Sequence, residues 1–489
     1  MPSDAVVGLD IGTTSTVAVV MRPDGEVLAS AARPARLFSP APGYAEADPE
    51  EGWANACATL REAIAAAGVP PAGVCVTGML PAVVLLDEIG RPLRRSLQQN
   101  DARCVAELDA LAAEIDEAAF LAKTGQGLTQ QLVAPKLRWL ARHEPQIFAR
   151  VRRIVGSYDY INFRLTGRLT VERNWALEAG FSSLETHALD PRLVALAGLP
   201  ADAIPPLVAA HERIGAVTGE AAQATGLPAG AVVFGGAADH IASALAAGLA
   251  QAGDVLLKFG GAGDVIAIAE RAEPDRRLFL DYHLVPGLYA PNGCMAASGS
   301  ALRWLAALIG GSLEDLDAEA AATPAGAEGV RMLPYFLGEK TPIHDPLARG
   351  TITGLSLGHG RGHLWRAALE AIACGFRHHL DVLADQGRPA RRLYASDGGS
   401  RSDVWMQIVA DVCGQPVSTL ADALGSAVGA AWVAAVGAGL AQWGDVAHAR
   451  RLGNTFAPRP EAAAACDVVY ADYRALYETL RPFFRRAAR

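Results

Sequence analysis

The sequence predicts an α/β protein of two domains, and three observations lead to this fold class. Strand-like runs alternate with helix-like segments almost throughout the 489 residues. A chain of this length can bury two or three hydrophobic cores. Each half of the chain begins with a strand, a glycine-containing turn and a second strand. We therefore expect duplicated domains at residues 1–245 and 246–489, joined by a helix or a short hinge and facing each other across a cleft.

The order of the elements follows from hydrophobic periodicity and from turn residues. β-rich runs bounded by turn formers predict strands at residues 73–77, 82–87, 231–235, 255–259 and 392–395. Apolar residues at helical spacing predict helices at residues 49–67, 102–113, 135–142, 301–309 and 363–383. Tyrosines and leucines at helical intervals predict an amphipathic closing helix over residues 467–486.

The composition excludes several classes of protein. Hydrophobic residues make up 51% of the chain, yet no apolar run is long and charge-free enough for a membrane span. The N-terminus lacks the basic and apolar regions of a signal peptide. The net charge of −9 disfavours nucleic acid as a partner. Because the seven cysteines form no C-x-x-C pair, we expect reduced thiols in a cytoplasmic protein and no zinc site.

Residues 6–20 contain the most informative turn of the chain. Gly12 permits close approach of the backbone to a ligand, and Thr13, Thr14 and the serine after them supply donors that suit phosphate oxygens. Asp10 has no cation beside it in the sequence and could face a metal ion. These residues predict a phosphate clamp for Mg-ATP, with an ordinary hairpin carrying a polar turn as the alternative. No P-loop motif occurs, and no dinucleotide fingerprint follows the first strand.

Residues 254–269 repeat the same pattern in the second half of the chain. The turn between these two predicted strands contains Gly260, Gly261, Ala262 and Gly263. It resembles the opening hairpin in kind and not in sequence identity. We expect the phosphates of a nucleotide to lie between the two hairpins.

Asp239 lies between a buried strand and an alanine-rich segment, after Gly235 and Gly236. A carboxylate at such a junction can sit at the edge of a cleft. Transfer of a phosphoryl group to an alcohol needs a group that accepts the hydroxyl proton, and Asp239 is the candidate base. A helix N-cap is the alternative role, which aspartate often fills.

Residues 393–407 form a third candidate site, in which a strand runs into glycines and then a helix. Gly398 and Gly399 allow a base or an α-phosphate to approach the backbone and the helix N-terminus. Ser402 is in position to cap that helix. The alternative is a tight strand-to-helix turn that binds no ligand.

Together these motifs resemble the FGGY carbohydrate kinases, which belong to the superfamily of actin-like, sugar-kinase and heat-shock-chaperone ATPases. The resemblance covers nearly the whole chain and keeps the family's motif order. The matching segments are residues 10–15 (first phosphate loop), 44–53 (W-x-E-x-D-P-x-x-W), 84–93 and 99–103 (the strand and the N-D-x-R region beside the sugar), 135–140 (P-K-L-x-W-L), 158–167 (D-Y-L-x-x-x-L-T-G), 333–342 (P-Y-L-x-G-E-R-x-P) and 397–407 (the adenosine motif, G-G-G-x-x-S-x-x-W-x-Q).

The resemblance implies two actin-like, ribonuclease H-like domains that flank a central cleft, with ATP and Mg²⁺ as cofactors. It implies that Asp239 is the catalytic base and that Asp10 holds Mg²⁺ through water. The other implied contacts are Gly12, Thr13, Thr14, Gly260, Gly261, Gly398, Gly399 and Asp403 for the nucleotide, and Leu80, Pro81, Asp101, Arg103, Asp239 and His240 for the sugar.

The chain departs from the family pattern at three places. Residues 79–82 are Met-Leu-Pro-Ala where pentulose kinases of the family usually have Gln-Met-His-Gly, which removes a polar contact to the sugar. The turn at residues 260–263 lacks the hydroxyls of G-T-S-G, although backbone N–H groups and Lys258 remain. His240 stands where Asn, Gln or Gly is usual, and it either donates to a sugar hydroxyl or packs beneath the helix.

The resemblance implies phosphorylation of a terminal hydroxyl of a ketopentose, with D-xylulose as the first candidate. Ribulose, L-xylulose, glycerol and erythritol are the alternatives within this class. A nucleotide-binding regulatory protein with weak catalysis is the alternative in another class, which the hydroxyl-poor turn motivates and the retained Asp10 and Asp239 oppose. The expected partners are a sugar or polyol and ATP, without nucleic acid or membrane, and a homodimer is one assembly to test.

Overall fold

The structure is a computed structural model that describes residues 4–421 and 425–487. The strands, in chain order, are β1 (Val6–Ile11), β2 (Ser15–Met21), β3 (Val27–Pro34), β4 (Glu46–Ala47), β5 (Gly73–Gly78), β6 (Val84–Leu86), β7 (Ser96–Leu97), β8 (Arg153–Val155), β9 (Val171–Glu172), β10 (Leu207–Val208), β11 (Arg213–Ala216), β12 (Val232–Phe234), β13 (Ala237–Ala238), β14 (Asp254–Phe259), β15 (Gly263–Ala267), β16 (Phe279–Tyr282), β17 (Tyr289–Met295), β18 (Arg331–Leu333), β19 (Thr351–Thr353), β20 (Arg392–Ser396), β21 (Val417–Leu420) and β22 (Leu452–Phe456).

The helices, in chain order, are α1 (Pro49–Ala67), α2 (Val105–Glu114), α3 (Glu117–Thr124), α4 (Val133–His143), α5 (Pro145–Phe148), α6 (Ser157–Thr166), α7 (Arg173–Glu178), α8 (Pro191–Ala195), α9 (Gly219–Thr225), α10 (Asp239–Ala246), α11 (Gly299–Ile309), α12 (Leu313–Ala322), α13 (Arg361–Asp385), α14 (Asp403–Cys413), α15 (Ser426–Gly437), α16 (Trp443–Ala449) and α17 (Pro460–Ala487). Short 3₁₀ helices occur at Ala201–Ala203, Ala327–Gly329 and Gly398–Arg401. Among the described helices, none combines the length and the apolar character needed to cross a bilayer.

The chain forms two compact units, each built around a mixed sheet. Unit 1 contains Met1–Ala250, Glu270–Ala290 and Leu424–Arg450, and unit 2 contains Gln251–Ala269, Pro291–Ala423 and Arg451–Arg489. We expected one division of the chain, at residue 245. Unit 1 instead also includes two segments from the second half of the chain. The predicted α/β class with two sheet-containing domains is confirmed.

The sheet of unit 1 begins with the predicted hairpin. β1 pairs antiparallel with β2, from Val6 opposite Met21 to Ile11 opposite Thr16. The N–H of Gly12 donates to the Ser15 carbonyl at 3.0 Å, and a Cβ on Gly12 would lie only 2.8 Å from that oxygen. The turn therefore requires glycine at this position. The full strand order is β11-β12-β5-β1-β2-β3, with β13 also paired to β5.

The sheet of unit 2 repeats this arrangement. β14 and β15 form the second hairpin, β15 pairs antiparallel with β17, and β14 pairs parallel with β20. β21 lies parallel to β20 and antiparallel to β22. In both units, therefore, three antiparallel strands are followed across the sheet by parallel ones.

Helix α15 is buried on nearly all sides within unit 1, and glycines decide how closely it packs. A Cβ on Gly8 of β1 would overlap the carbonyl oxygen of Ala427, and one on Gly429 would overlap that of Ala242 in α10. Because only glycine permits such backbone contact, α15 fixes the position of α10 relative to the sheet.

Several predicted boundaries differ from the structure by a few residues. The helix predicted at residues 102–113 begins at Val105, because the preceding residues form an irregular segment organised around the Asp101 carboxylate. The closing helix begins earlier than predicted, at Pro460, and buries Tyr470, Tyr473 and Tyr477 on the predicted apolar face.

Candidate active site

The first hairpin turn and Asp239 both follow strands that end at the same edge of the unit 1 sheet. β5 lies parallel to β1, with Asp10 opposite Thr77, and β13 lies parallel to β5, with Ala238 opposite Gly78. Neighbouring strands are about 4.8 Å apart, so the turn after β1 and Asp239 after β13 are separated by about two strand spacings. Parallel strand ends thus bring the first hairpin turn and Asp239 to one side of the sheet.

Asp10 has the chemistry and the surroundings of a cation ligand. A Cβ on Gly12 would lie 3.6 Å from Asp10 Oδ2, so the missing side chain leaves space beside the carboxylate. Carboxylate oxygens are preferred ligands of Mg²⁺. Gly12 and Thr13 also line a cavity of about 50 Å³, together with Gln98, the residue before the predicted N-D-x-R segment. The residues present fit a magnesium ion near the first hairpin.

Asp239 is the first residue of α10, and Ala238 before it is the N-cap residue. The His240 backbone N–H donates to Asp239 Oδ1 at 2.6 Å, and the Ser243 hydroxyl donates to the Asp239 carbonyl at 2.9 Å. The Asp239 side chain remains 33% exposed. The first helical turn therefore orients this carboxylate while leaving it accessible to a small ligand.

The His240 ring lies among three carboxyl groups. Its Nε2 is 3.0 Å from Asp281 Oδ2 on β16 and 3.7 Å from Glu178 Oε1 at the end of α7. Its Nδ1 is 3.4 Å from Asp239 Oδ1. Both ring nitrogens thus face acidic oxygens. Asp281 and Glu178 are distant from His240 in sequence, so this cluster could not be read from the motif around Asp239.

The carboxyl groups determine the charge of His240. Burial alone lowers the pKa of His240, but hydrogen bonds to Asp239 and Asp281 outweigh burial and raise the pKa well above 6.5. Desolvation, reinforced by the charge of Asp281, raises the pKa of Glu178 well above 4.5. The surroundings therefore favour the imidazolium form of His240 and the neutral form of Glu178.

The segment that departs from the family pattern follows β5 directly. Leu80 is 3% exposed and Pro81 is buried. The Ser157 hydroxyl lies 3.5 Å from the Met79 carbonyl, which it can donate to. The apolar residues at positions 80 and 81 therefore belong to the core beneath the sheet edge.

Asp101 and Arg103 form a buried ion pair. Arg103 Nε donates to Asp101 Oδ1 at 2.8 Å, and one of its terminal nitrogens donates to Asp101 Oδ2 at 2.7 Å. The same nitrogen lies 2.7 Å from Glu46, and the Ala45 N–H donates to Asp101 Oδ2 at 2.7 Å. The guanidinium also lies over the Tyr44 ring, 3.9 Å from its centroid. In this structure both predicted sugar residues anchor the segment that carries them.

Lys136 anchors the same segment from α4. Its side chain is fully buried, and its ammonium donates to the carbonyls of Gln98 and Gln99 at 2.7 and 3.0 Å. Burial lowers the pKa of Lys136 to about 8. The P-K-L-x-W-L motif contained this residue, but nothing in the sequence indicated which carbonyls it binds.

The second hairpin turn binds the N-terminus of α11. The N–H groups of Ser298 and Gly299 donate to the carbonyls of Gly261 and Gly260, each at 2.9 Å, and the Ser300 hydroxyl donates to the Gly261 carbonyl at 2.8 Å. A Cβ on Gly261 would lie 3.4 Å from the Arg303 guanidinium. The sequence did not predict Arg303 as a site residue. The local signal for it is its position one turn into a helix that follows Ser-Gly-Ser.

The adenosine motif borders a cavity of about 340 Å³ at the ends of β20 and β21. Asp397, Ser400 and Asp403 line it, and the space around Gly398 is open. A Cβ on Gly399 would lie 2.7 Å from Phe259, so this glycine is also required for packing. The predicted cap of α14 is confirmed, since Ser402 Oγ accepts from the Trp405 N–H at 3.1 Å.

These features define a class of protein. Two domains with the same strand order, each beginning with a glycine-turn hairpin, are characteristic of the actin-like ATPase fold. In unit 1 a partly exposed carboxylate lies on the same side of the sheet as the hairpin turn, and in unit 2 a cavity adjoins the glycine-rich motif.

Comparison with known proteins defines the family. The model of the FGGY family of carbohydrate kinases matches through its N-terminal domain at residues 5–246 and its C-terminal domain at residues 261–438. The chain therefore belongs to the FGGY family of carbohydrate kinases, as the motifs predicted.

Individual relatives extend this similarity. A crystal structure of xylulose kinase from Rhodospirillum rubrum is 58% identical, with a TM-score of 0.94, and the match covers 98% of this chain and 100% of that one. Xylulose kinase of Escherichia coli is 30% identical over 88% of this chain and 90% of its own. Glycerol kinase of Citrifermentans bemidjiense is 31% identical over 93% of this chain and 94% of its own.

Proposed function

We propose that this chain transfers the γ-phosphoryl group of ATP to a terminal hydroxyl of D-xylulose, which gives D-xylulose 5-phosphate. The observation that carries the proposal is the 58% identity, over 98% of the chain, to the xylulose kinase of Rhodospirillum rubrum. The Escherichia coli relative bears the same name at 30% identity. Both relatives match nearly the full length of the chain.

Asp239 accepts the proton of the attacking hydroxyl in this proposal. Its carboxylate is held by the His240 N–H and remains accessible. Aspartate is a weak base at neutral pH, so the proton leaves late, as the O–P bond forms. Most of the rate then comes from in-line positioning of the hydroxyl and from stabilisation of the phosphoryl charge.

Two glycine turns and the adenosine motif hold ATP. Thr13 and Thr14 donate to the transferred phosphoryl group, and Gly260 and Gly261 border the phosphates. Arg303 supplies the charge that the turn lacks, since its guanidinium lies beside Gly261. Mg²⁺, when bound with ATP, neutralises phosphate charge, and Asp10 is the residue that would hold it.

Gly398, Gly399 and Asp403 border the adenosine in the same proposal. The open space around Gly398 and the position of Asp403 on the cavity wall support this assignment. The cytoplasm is the proposed compartment, where ATP is available.

The sugar binds beside Asp239 in this proposal. His240 and Arg103 are the proposed polar contacts of the sugar, and both are already engaged by carboxylates, so they bind hydroxyls only through the hydrogens that remain. Leu80 and Pro81 are buried apolar residues at the position where related pentulose kinases have a polar contact. A site with fewer polar groups discriminates less strongly among polyols.

Phosphorylation of another polyol is the second candidate function. Two observations favour it: the apolar residues at positions 80 and 81, and the 31% identity to a glycerol kinase. A weakly catalytic nucleotide-binding protein is the remaining alternative, and the retained Asp10, Thr13 and Asp239 oppose it.

A substrate panel tests the proposal. ADP release from the purified full chain is measured with D-xylulose, D-ribulose, L-xylulose, glycerol and erythritol at saturating Mg-ATP. We expect kcat/KM for D-xylulose to exceed the others by about tenfold or more. A higher value for another polyol would replace the substrate, and ATP binding without sugar-stimulated ADP release would favour the regulatory alternative.

A further inference from the structure

Unit 1 contains a second cavity, whose lining includes neither Asp239 nor His240. Its volume is about 350 Å³, within the range of about 300–1,000 Å³ that small-molecule sites occupy. The start of α7, the end of β16 and the loop before β11 contribute to its walls. Polar and aromatic side chains at the cavity are Arg173, His187, His211, Tyr282, His283 and Tyr289. A space of this size can hold an organic molecule.

The cavity lies behind the elements that support the candidate base. Asp281 contacts His240, and the next residue, Tyr282, lines the cavity. Successive side chains of a strand point to opposite faces, so β16 has Asp281 on one face and Tyr282 on the other. On α7, Arg173 at the cavity and Glu178 beside His240 lie about 140° apart around the helix axis. The cavity is therefore a place separate from the candidate active site.

Arg173 brings a positive charge to this cavity. The residue is partly buried, and its Nε is buried without a hydrogen-bond partner among the described residues. Within the same part of the chain, no acid forms an ion pair with its guanidinium. Burial lowers the pKa of His211, and the nearby charge of Arg173 lowers it further. Because buried charges are normally paired, this guanidinium has hydrogen-bonding capacity left for an anion.

Two more polar groups at the cavity lack partners. Tyr282 Oη and His283 Nε2 are buried, and neither has a hydrogen-bond partner among the residues that the structure describes. His283 is 5% exposed. A buried donor or acceptor without a partner is unfavourable. Rotation of either side chain toward the cavity would let a ligand supply the missing hydrogen bond.

The charge of the lining favours a negative ligand. Among the described residues that line the cavity, the one acid is Glu172. Burial raises the pKa of Glu172 to about 8, so its carboxyl is mostly protonated at pH 7. That carboxyl is also engaged, since it accepts from the Tyr158 hydroxyl and the Asn174 N–H. An anion therefore meets Arg173 without a facing carboxylate.

We propose that this cavity binds a small organic anion, whose phosphate or carboxylate group pairs with Arg173 and whose body lies against the rings of Tyr282 and Tyr289. A guanidinium binds either group through two parallel hydrogen bonds. The two tyrosine rings lie 5.9 Å apart between their centroids and supply apolar surface for the rest of the molecule. This site is additional to the residues assigned to ATP and to the sugar.

Calorimetric titration of the full chain tests this proposal. The probes are inorganic phosphate, D-ribose 5-phosphate and malonate, which represent a bare anion, a phosphorylated molecule and a carboxylated molecule. Each is titrated into the wild type, Arg173→Gln, Arg173→Lys and Arg303→Gln. Arg173→Lys keeps the charge without the planar fork, so it tests the site even where Arg173→Gln fails to fold. Arg303→Gln is the matched control, because it removes one arginine beside Gly261 of the second hairpin turn.

We expect at least one of the two organic anions to bind the wild type and Arg303→Gln with a Kd below about 1 mM. Binding to Arg173→Gln should be weaker by about tenfold or more, with Arg173→Lys in between. Absence of organic anion binding in the wild type, or equal affinity in both Arg173 variants, would overturn the inference. Inorganic phosphate that binds as tightly as the organic anions would do the same, as would a loss confined to Arg303→Gln. ADP titrated into the same proteins tests the proposed function separately.

Discussion

At the scale of single residues, neighbours in space change the meaning of residues that the sequence had identified. His240 was expected to bind a sugar hydroxyl or to pack beneath a helix. Its ring nitrogens face Asp281 and Asp239, so the ring is a cation that stabilises the position of the candidate base. Arg103 is similarly committed to Asp101 and Glu46. Some polar residues near a site therefore contact the ligand, whereas others hold in place the residues that contact it.

Asp239→Asn isolates the role of the base. The amide keeps the shape of the side chain but cannot accept the hydroxyl proton, so we expect kcat to fall by about 10²–10⁴-fold. ADP affinity and melting temperature should stay close to those of the wild type. Steady-state kinetics, calorimetry and thermal melts measure the three quantities.

Asp202→Asn is the control for this substitution, since Asp202 is an exposed acid of unit 1. Its kinetics should match the wild type. A kcat for Asp239→Asn within about threefold of the wild type would eliminate Asp239 as the base.

Lys136→Met tests the anchor of residues 98 and 99. The methionine fills a similar volume but leaves the Gln98 and Gln99 carbonyls without their buried donor. We expect a loss of about 2–4 kcal/mol in the free energy of unfolding, from two unsatisfied acceptors. Urea denaturation measures it.

Lys123→Met provides the comparison, because Lys123 makes an ion pair at the surface. Surface ion pairs contribute about 0–1 kcal/mol, so the free energy of unfolding of this variant should fall by no more than about 1 kcal/mol. Equal losses in the two lysine variants would mean that the buried ammonium contributes no more than a surface one.

At the scale of elements, the hairpins and the long helices follow from local chemistry. β1 and β2 need a turn that only glycine at position 12 allows, and the pattern around that turn was enough to predict them. α15 is different, because it is apolar on all sides and its partners come from β1 and α10. Its sequence indicates burial but not the surfaces that bury it.

Gly429→Ala tests the contact between α15 and α10. The added methyl would overlap the backbone oxygen of Ala242, which cannot move without shifting the helix that begins at Asp239. We expect a loss of about 3 kcal/mol or more, at the upper end of overpacking effects. Thermal and urea denaturation measure it, and kcat should fall as Asp239 is displaced.

Gly52→Ala is the matched control. Gly52 lies inside α1, and nothing lies within 4 Å of the position that its Cβ would take. Alanine is the better helix former by about 1 kcal/mol, so this variant should be as stable as the wild type or more stable. A Gly429→Ala protein with wild-type stability would refute the close packing of α15.

At the scale of the whole molecule, buried titratable groups set the dependence of stability on pH. Desolvation raises the pKa of Glu172 to about 8, and of Asp159 and Glu339 to about 7. These groups keep their protons when folded and lose them when unfolded, so the free energy of unfolding falls as pH rises. Burial lowers the pKa of His283 and His379 to about 4. These two histidines make the free energy of unfolding rise with pH, mainly below their ordinary pKa of 6.5.

Stability is therefore expected to fall between pH 6.5 and pH 8, where the three buried carboxyls contribute more than the two histidines, which are already losing their protons in the unfolded chain. Urea midpoints at the two values measure the fall. Glu172→Gln keeps the acceptor for the Tyr158 hydroxyl and removes the titration, so its fall should be smaller. Glu478→Gln, a change at an exposed acid, should leave the fall unchanged, and an increase of wild-type stability toward pH 8 would contradict the prediction.

The sequence by itself determined the α/β class, the two glycine-turn hairpins, the adenosine motif and the family. Each depends on residues adjacent in the chain, where turn chemistry and periodicity act within a few positions. The tertiary structure decided that residues 270–290 and 424–450 join unit 1. It also decided that Glu178 and Asp281 surround His240, and that Arg303 lies beside Gly261. Such contacts depend on burial and charge between distant segments, which a single sequence does not record.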